Sequence, residues 1–181
     1  MTSCAALLRG INLGSRRRVA MADLRTWLAE LGHAEVRTLL QSGNAVFRTE
    51  RELDEVRAEL SAHLTERAGF PVACVLRTAA ELAEVVAADP LGAVATNPSR
   101  YFVVFLDRPV TSPDLEPDAF APELFHLGER EVYFWVPEGV RDSKVLAAFP
   151  ARADEVATMR NWNTVTKLLA MAQAVPDLRT R

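Results

Sequence analysis

The chain has 181 residues, and its 21 basic and 24 acidic side chains leave a formal net charge of −3. Hydrophobic residues make up 49% and charged residues 25%, which excludes a disordered chain, and the slight acidity argues against coating of nucleic acid through bulk charge. No apolar run reaches the roughly 20 residues that span a bilayer. The apolar stretch Cys4–Leu8 is too short for an export signal and no basic segment precedes it, so a cytoplasmic location is expected. Cys4 and Cys74 lie far apart, and His33, His63 and His126 are scattered. That spacing gives no zinc motif, and buried thiols are the simplest expectation. No cofactor is expected.

In chain order, Cys4–Leu8 reads as a buried strand, followed by a glycine-containing loop and the run Arg16-Arg17-Arg18. Met21, Leu24, Trp27, Leu28 and Leu31 recur at helical spacing, and Gly32 is placed to end that helix. Val36–Leu40 and Ala45–Phe47 are two further strands around a tight turn, Gln41-Ser42-Gly43-Asn44. Thr49 and Glu52 have capping-box spacing and open a helix with Val56, Leu60 and Leu64 on one face, ended by Gly69. Pro71–Leu76 is a fourth strand. The order is β-α-β-β-α-β, the ferredoxin-like pattern. Thr78 and Glu81 form a second capping box and open a helix that stops before Asp89-Pro90.

The small-residue loop Gly92–Ser99 is the expected boundary between two α+β subdomains, residues 1–91 and 92–181. Beyond it Tyr101–Leu106 is a strand and Ser112-Pro113 starts a short helix. Glu123–Leu127 and Glu131–Val136 form a hairpin, and Ser143 caps a helix carrying Val145, Leu146 and Phe149. This second half runs β-α-β-β-α, an echo of the first in element order. A last amphipathic helix carries Val165, Leu168, Leu169 and Ala172, ends near Pro176, and leaves Asp177–Arg181 as a tail.

Candidate chemistry follows from topology. In a sheet of order 4-1-3-2 the first strand lies antiparallel to the third, so the Arg9–Ser15 loop meets the Gln41–Asn44 turn. Arg9, Asn12, Gln41, Ser42 and Asn44 then offer a guanidinium, amides, a hydroxyl and backbone N–H groups to an oxyanion or a polar ring edge. Turn chemistry alone also accounts for the Gly and Asn residues. A second cluster, Arg160-Asn161-Trp162-Asn163-Thr164, precedes the last helix. Asn161 or Asn163 is a natural N-cap, and the helix start attracts anions. Trp162 either stacks on a ligand ring or packs in the core. Lys144, at another helix start, is either a phosphate contact or a solvated lysine. There is no dinucleotide fingerprint, P-loop, nucleophile elbow or H-E-x-x-H, and nothing names a general base.

Four segments, Leu7-Leu8-Arg9-Gly10-Ile11-Asn12-Leu13-Gly14, Gln41-Ser42-Gly43-Asn44, Asp142-Ser143-Lys144 and Arg160-Asn161-Trp162-Asn163-Thr164-Val165, resemble the signature segments of the family called domain of unknown function 1697. Their order and spacing cover nearly the whole chain. The resemblance implies an α+β fold with ferredoxin-like halves in a soluble bacterial protein, and it carries no established activity, substrate or catalytic residue. Ser15 and Met159 depart from its pattern, which often has glycine and threonine there.

Two functions compete. The first is a site for a small anionic or nucleotide-like ligand at the converging loops, with Lys144, Arg160, Asn161, Asn163 and Thr164 as further contacts and the reaction unspecified. The second is a nucleic-acid- or protein-binding module using a sheet face or the basic loop. The strand Ala45-Val46-Phe47-Arg48 lacks the paired exposed aromatics of an RNA-binding sheet, and the net charge also disfavours nucleic acid. No membrane partner is expected, and the sequence leaves the oligomeric state open.

Overall fold

A computed structural model gives the fold and describes residues 1–111, 115–149, 152 and 155–174. It divides into two compact units. One comprises Met1–Glu84 with the chain from Lys167 onward, and the other comprises Val85–Thr166. The division falls upstream of the Gly92–Ser99 loop. The predicted helix at Ser112-Pro113, Pro176 and the tail Asp177–Arg181 lie outside the described residues.

The first unit holds β1 (Thr2–Arg9), α1 (Met21–Glu30), β2 (Ala34–Leu39), β3 (Asn44–Thr49), α2 (Leu53–Ala68), β4 (Ala73–Thr78) and the start of α3 (Ala79–Ala88). The strands form an antiparallel sheet in the order β2-β3-β1-β4, the ferredoxin-like arrangement expected from the element order. Alternation sends Cys4, Ala6, Leu8, Ala45, Phe47, Cys74 and Leu76 to one face. There they pack with Leu24, Leu28, Val56, Leu60 and Leu64 of the two helices. The opposite face, with Ala5, Leu7, Val46 and Val75, is fully buried as well. Residues from the end of the chain are hydrogen-bonded on that side: Ser3 Oγ donates to the Ala172 carbonyl at 2.8 Å and Arg37 donates to that of Met171 at 2.7 Å. Both faces of this sheet are therefore buried.

Local signals succeed or fail here for identifiable reasons. The Thr78–Glu81 box forms reciprocally: Thr78 N donates to Glu81 Oε2 at 2.7 Å, and Glu81 N donates to Thr78 Oγ1 at 3.0 Å. The Thr49–Glu52 box does not form. Thr49 is the last residue of β3, paired with Thr2, and Glu52 is the N-cap of α2 without a side-chain bond. Pairing along the sheet claims Thr49 before the helix does. Likewise β2 ends at Leu39, because Leu40 takes a left-handed backbone (φ 58°) and belongs to the turn.

His33 is a buried histidine of this unit, its ring tilted 34° to that of Phe47 with ring centroids 4.5 Å apart. Its Nε2 has no hydrogen-bond partner among the described residues. Burial holds its pKa below the ordinary histidine value; Arg51 adds to that shift and Glu59 opposes it. The unfolded chain therefore takes up a proton near pH 6.5, where the folded chain does not, so this contribution to stability is lost as pH falls below about 6.5. His33→Phe keeps the ring contact with Phe47 and removes the titration. Between pH 7.5 and pH 5.5 the urea midpoint of the wild type should fall further than that of His33→Phe; equal falls would refute the assignment.

The second unit holds the end of α3, β5 (Tyr101–Leu106), a 3-10 helix (Pro117–Phe120), β6 (Leu124–Leu127), β7 (Glu131–Trp135), α4 (Lys144–Ala148), β8 (Ala157–Asn161) and the start of α5 (Trp162–Gln173). Its sheet order, β6-β7-β5-β8, repeats that of the first unit, again antiparallel. The echo is thus fuller than the sequence indicates, since β8 supplies the missing strand. Arg160 and Asn161 lie on that strand rather than in a loop. One face, with Leu106, Val132 and Phe134, packs on Val136 and Val145. On the other, Tyr133 donates its hydroxyl to the Val85 carbonyl at 3.2 Å. Among the described residues no helix is long and apolar enough to cross a membrane.

Candidate functional site

The register of β1 against β3 places Leu7 opposite Asn44, and Leu8 N donates to the Gly43 carbonyl at 2.8 Å. The loop after Arg9 and the turn before Asn44 therefore leave the sheet at the same end, as antiparallel pairing requires. Asn12 joins them. Its amide nitrogen donates to the Gln41 carbonyl at 2.6 Å and to the Val19 carbonyl at 2.9 Å, while its Oδ1 accepts from Val19 N at 2.9 Å. Gly10, Asn12 and Gly14 all have left-handed backbones, and Asn12 N donates to the Arg17 carbonyl at 2.6 Å. The loop thus folds back on itself and carries the arginine run over its own start: Arg17 Nη1 lies 3.7 Å from the point where a Cβ on Gly10 would sit.

Five expected site residues occupy this region, and they divide by what their side chains do. Arg9, Gln41 and Ser42 are exposed. Asn12 is half-buried, and its amide is already bonded at both ends. Asn44 is fully buried and donates to the Leu39 carbonyl at 2.9 Å and to Ser42 Oγ at 3.0 Å, closing the turn. The two asparagines are scaffold, then; Arg9 and Gln41 are exposed, and Ser42 is exposed while its Oγ accepts from Asn44. Arg16, Arg17 and Arg18 are exposed too. The first acidic residue after them is Asp23. Leu13 and Leu40, each one residue from the Asn12–Gln41 bond, are 73% and 56% exposed. Sequence reasoning passed over both, because an isolated leucine in a loop carries no periodic signal; their place beside the paired loops gives them meaning.

The second cluster is engaged internally. Arg160 is buried and donates to Thr158 Oγ1 at 2.7 Å and to the Met159 carbonyl at 2.8 Å. Burial pulls its pKa down to about 10, which still leaves it charged at neutral pH. Asn161 is the cap of α5: its Oδ1 accepts from Thr164 N at 3.0 Å and from the Thr164 hydroxyl at 2.9 Å. Asn163 donates to Ser99 Oγ at 3.1 Å, and Trp162 stacks on Tyr101 with centroids 4.5 Å apart. Lys144 is exposed at the first residue of the five-residue α4, where Ser143 Oγ accepts from Leu146 N and the buried Glu123 carboxylate accepts from Val145 N at 2.8 Å. An internal carboxylate thus occupies the place an anion would take. Trp162, Asn161, Asn163 and Thr164 serve the start of α5 within this unit.

Neither thiol is set up as a nucleophile. Burial pushes the Cys4 thiol up to about 12, with Glu81 adding to the shift, and burial raises Cys74 as well. A thiol held protonated is inert. Among the described residues no group of three His, Cys, Asp or Glu side chains is placed to hold a metal ion.

The solved structure of the conserved bacterial protein SP0830 from Streptococcus pneumoniae is similar to this chain, with a TM-score of 0.73 at 22% sequence identity, covering 96% of this chain and 99% of that one. At that identity the likeness speaks for the fold. No curated protein matches. The model of the family described as protein of unknown function, DUF1697, matches residues 1–133, which include the loop pair and the whole ferredoxin-like sheet of the first unit. The chain belongs to that family.

Proposed function

We propose that the paired loops of the first unit bind a small anionic ligand with an apolar part, of the nucleotide type. The observation that carries this reading is the Asn12 bond to Gln41, which fixes an arginine-rich loop without acidic residues against an exposed amide and hydroxyl. Arg9 and Arg16–Arg18 supply forked donors suited to phosphate or carboxylate. Gln41 and Ser42 supply neutral donors and acceptors, and Leu13 and Leu40 supply apolar surface for a ring. Fixing the loops beforehand lowers the ordering cost of binding. No side chain here is placed as a general base, so the reading is one of binding and names no reaction.

Adenosine monophosphate tests it, with inorganic phosphate and adenosine as its two halves. A ligand present at a hundred times its dissociation constant adds about 2.7 kcal/mol, a rise of several degrees in melting temperature. The nucleotide should raise the melting temperature more than either half does. Arg16→Ala/Arg17→Ala/Arg18→Ala should abolish the rise while leaving the unliganded melting temperature within about 2 °C, as exposed substitutions do. A nucleotide-induced rise that survives the triple substitution would refute this site, as would no rise with nucleoside monophosphates, sugar phosphates or dicarboxylates.

A further inference from the structure

The two units repeat one sheet order but cover their sheets unequally. In the first, α1 has 10 residues and α2 has 16, and together they close the face. In the second, the 3-10 helix has 4 residues and α4 has 5. Helices this short cannot roof four strands. Val104 stays only half-buried at the centre of β5, and a cavity of about 380 Å³ opens over the sheet. Val104, Leu106, Val132 and Phe134 form its floor, and Leu146 and Phe149 form one wall. Among the described residues, charge enters the lining only through Arg152 and Glu155, one of each sign, beside the hydroxyls of Thr111 and Thr158. Arg152 donates to Thr111 Oγ1 at 3.1 Å, so the polar side is already organised.

We propose that this cavity binds an uncharged, mainly aromatic small molecule of about two fused rings with one hydrogen-bonding end. The volume lies in the range of small-molecule sites, and an apolar cavity of about 150 Å³ already takes benzene. The two charged residues of the described lining are of opposite sign, and the Arg152 guanidinium is engaged with Thr111. The apolar floor rewards ring burial, and the threonine side meets the single polar group. The cavity lies wholly within the second unit and is independent of the paired loops of the first.

The probe is 2-naphthol, titrated into the full-length protein with methyl resonances observed, and 2-naphthoate is its charged counterpart. 2-Naphthol should shift the methyls of Val104, Val132 and Leu146 in a saturable way. Ala148→Trp, which places an indole in the cavity from the end of α4, should weaken binding at least tenfold with the circular dichroism spectrum unchanged. The wild-type methyl map locates the site even if that variant folds poorly. No binding at the solubility limit would overturn the proposal, and so would shifts confined to other residues, full binding to folded Ala148→Trp, or tighter binding of 2-naphthoate than of 2-naphthol.

Discussion

Gly43→Ala should lower stability by about 3 kcal/mol and the melting temperature by roughly 6–12 °C for a chain of this size. Two penalties add. Gly43 has φ +82°, a left-handed conformation that costs an alanine about 1 kcal/mol. The new Cβ would also lie 2.7 Å from Ile11 Cδ1 and 2.8 Å from Leu8 Cβ. Leu8 is 1% exposed and Ile11 is 3% exposed, so neither side chain has room to withdraw. Overpacking of this kind costs about 1–3 kcal/mol. The clash lies where Leu8 N meets the Gly43 carbonyl, at the base of the paired loops. Gly14→Ala is the control: its φ is +70°, yet nothing lies within 4 Å of the added carbon. It should show the conformational penalty alone, about 1 kcal/mol. Thermal or urea unfolding of the two variants checks both figures, and equal losses would show that contact plays no part at Gly43.

The difference between those glycines is invisible in the sequence, where both read as turn residues. The same holds more widely. The short apolar run Cys4–Leu8 and the spacing of Met21, Leu24 and Leu28 are local patterns, and they give β1 and α1 because local preference and tertiary packing agree there. β8 is hidden because Ala157-Thr158-Met159-Arg160-Asn161 is short and contains an arginine, a residue read as exposed. Only pairing with β5, from Phe102–Asn161 to Leu106–Ala157, makes it a strand and buries Arg160. Once β8 forms, the polar cluster before the last helix resolves into an internal cap and a stacked tryptophan. Residue type suggested a ligand site there, and hydrogen-bond accounting assigns the groups to the fold.

The first cluster fares differently because its position follows from topology alone. A sheet of order β2-β3-β1-β4 must bring the end of β1 to the start of β3, whatever residues occupy the loops. Which side chains remain available there is a finer matter of geometry. Asn12 and Asn44 look like ligand contacts by type, and the fold uses both amides itself. The arginine run, ambiguous in sequence between a solvated patch and a phosphate contact, gains weight from the backbone that folds it back over Gly10.

Asn12→Ala is expected to separate positioning from contact. It removes three hydrogen bonds, to Gln41 O, Val19 O and Val19 N, each worth about 1 kcal/mol net. Val19 is 3% exposed, so its N–H would be left without water or partner. The backbone at Asn12 has φ 55°, which asparagine tolerates better than alanine by about 1 kcal/mol. The total loss should approach about 4 kcal/mol if the loops stay in place, and less if they open and hydrate. Asn12→Gly removes the side chain without the backbone penalty and should recover about 1 kcal/mol of that loss. Asn12→Asp keeps the acceptor for Val19 N but turns a charged oxygen toward two carbonyls, so it should be no better than alanine. Hydrogen exchange gives the direct readout: the Val19 amide, slow in the wild type, should exchange faster in all but Asn12→Asp by more than the global loss of stability explains. The nucleotide-induced rise in melting temperature should shrink in each variant although Asn12 itself faces inward. A Val19 amide that stays slow in Asn12→Ala, with the nucleotide response intact, would show that the two loops hold their places without the bond.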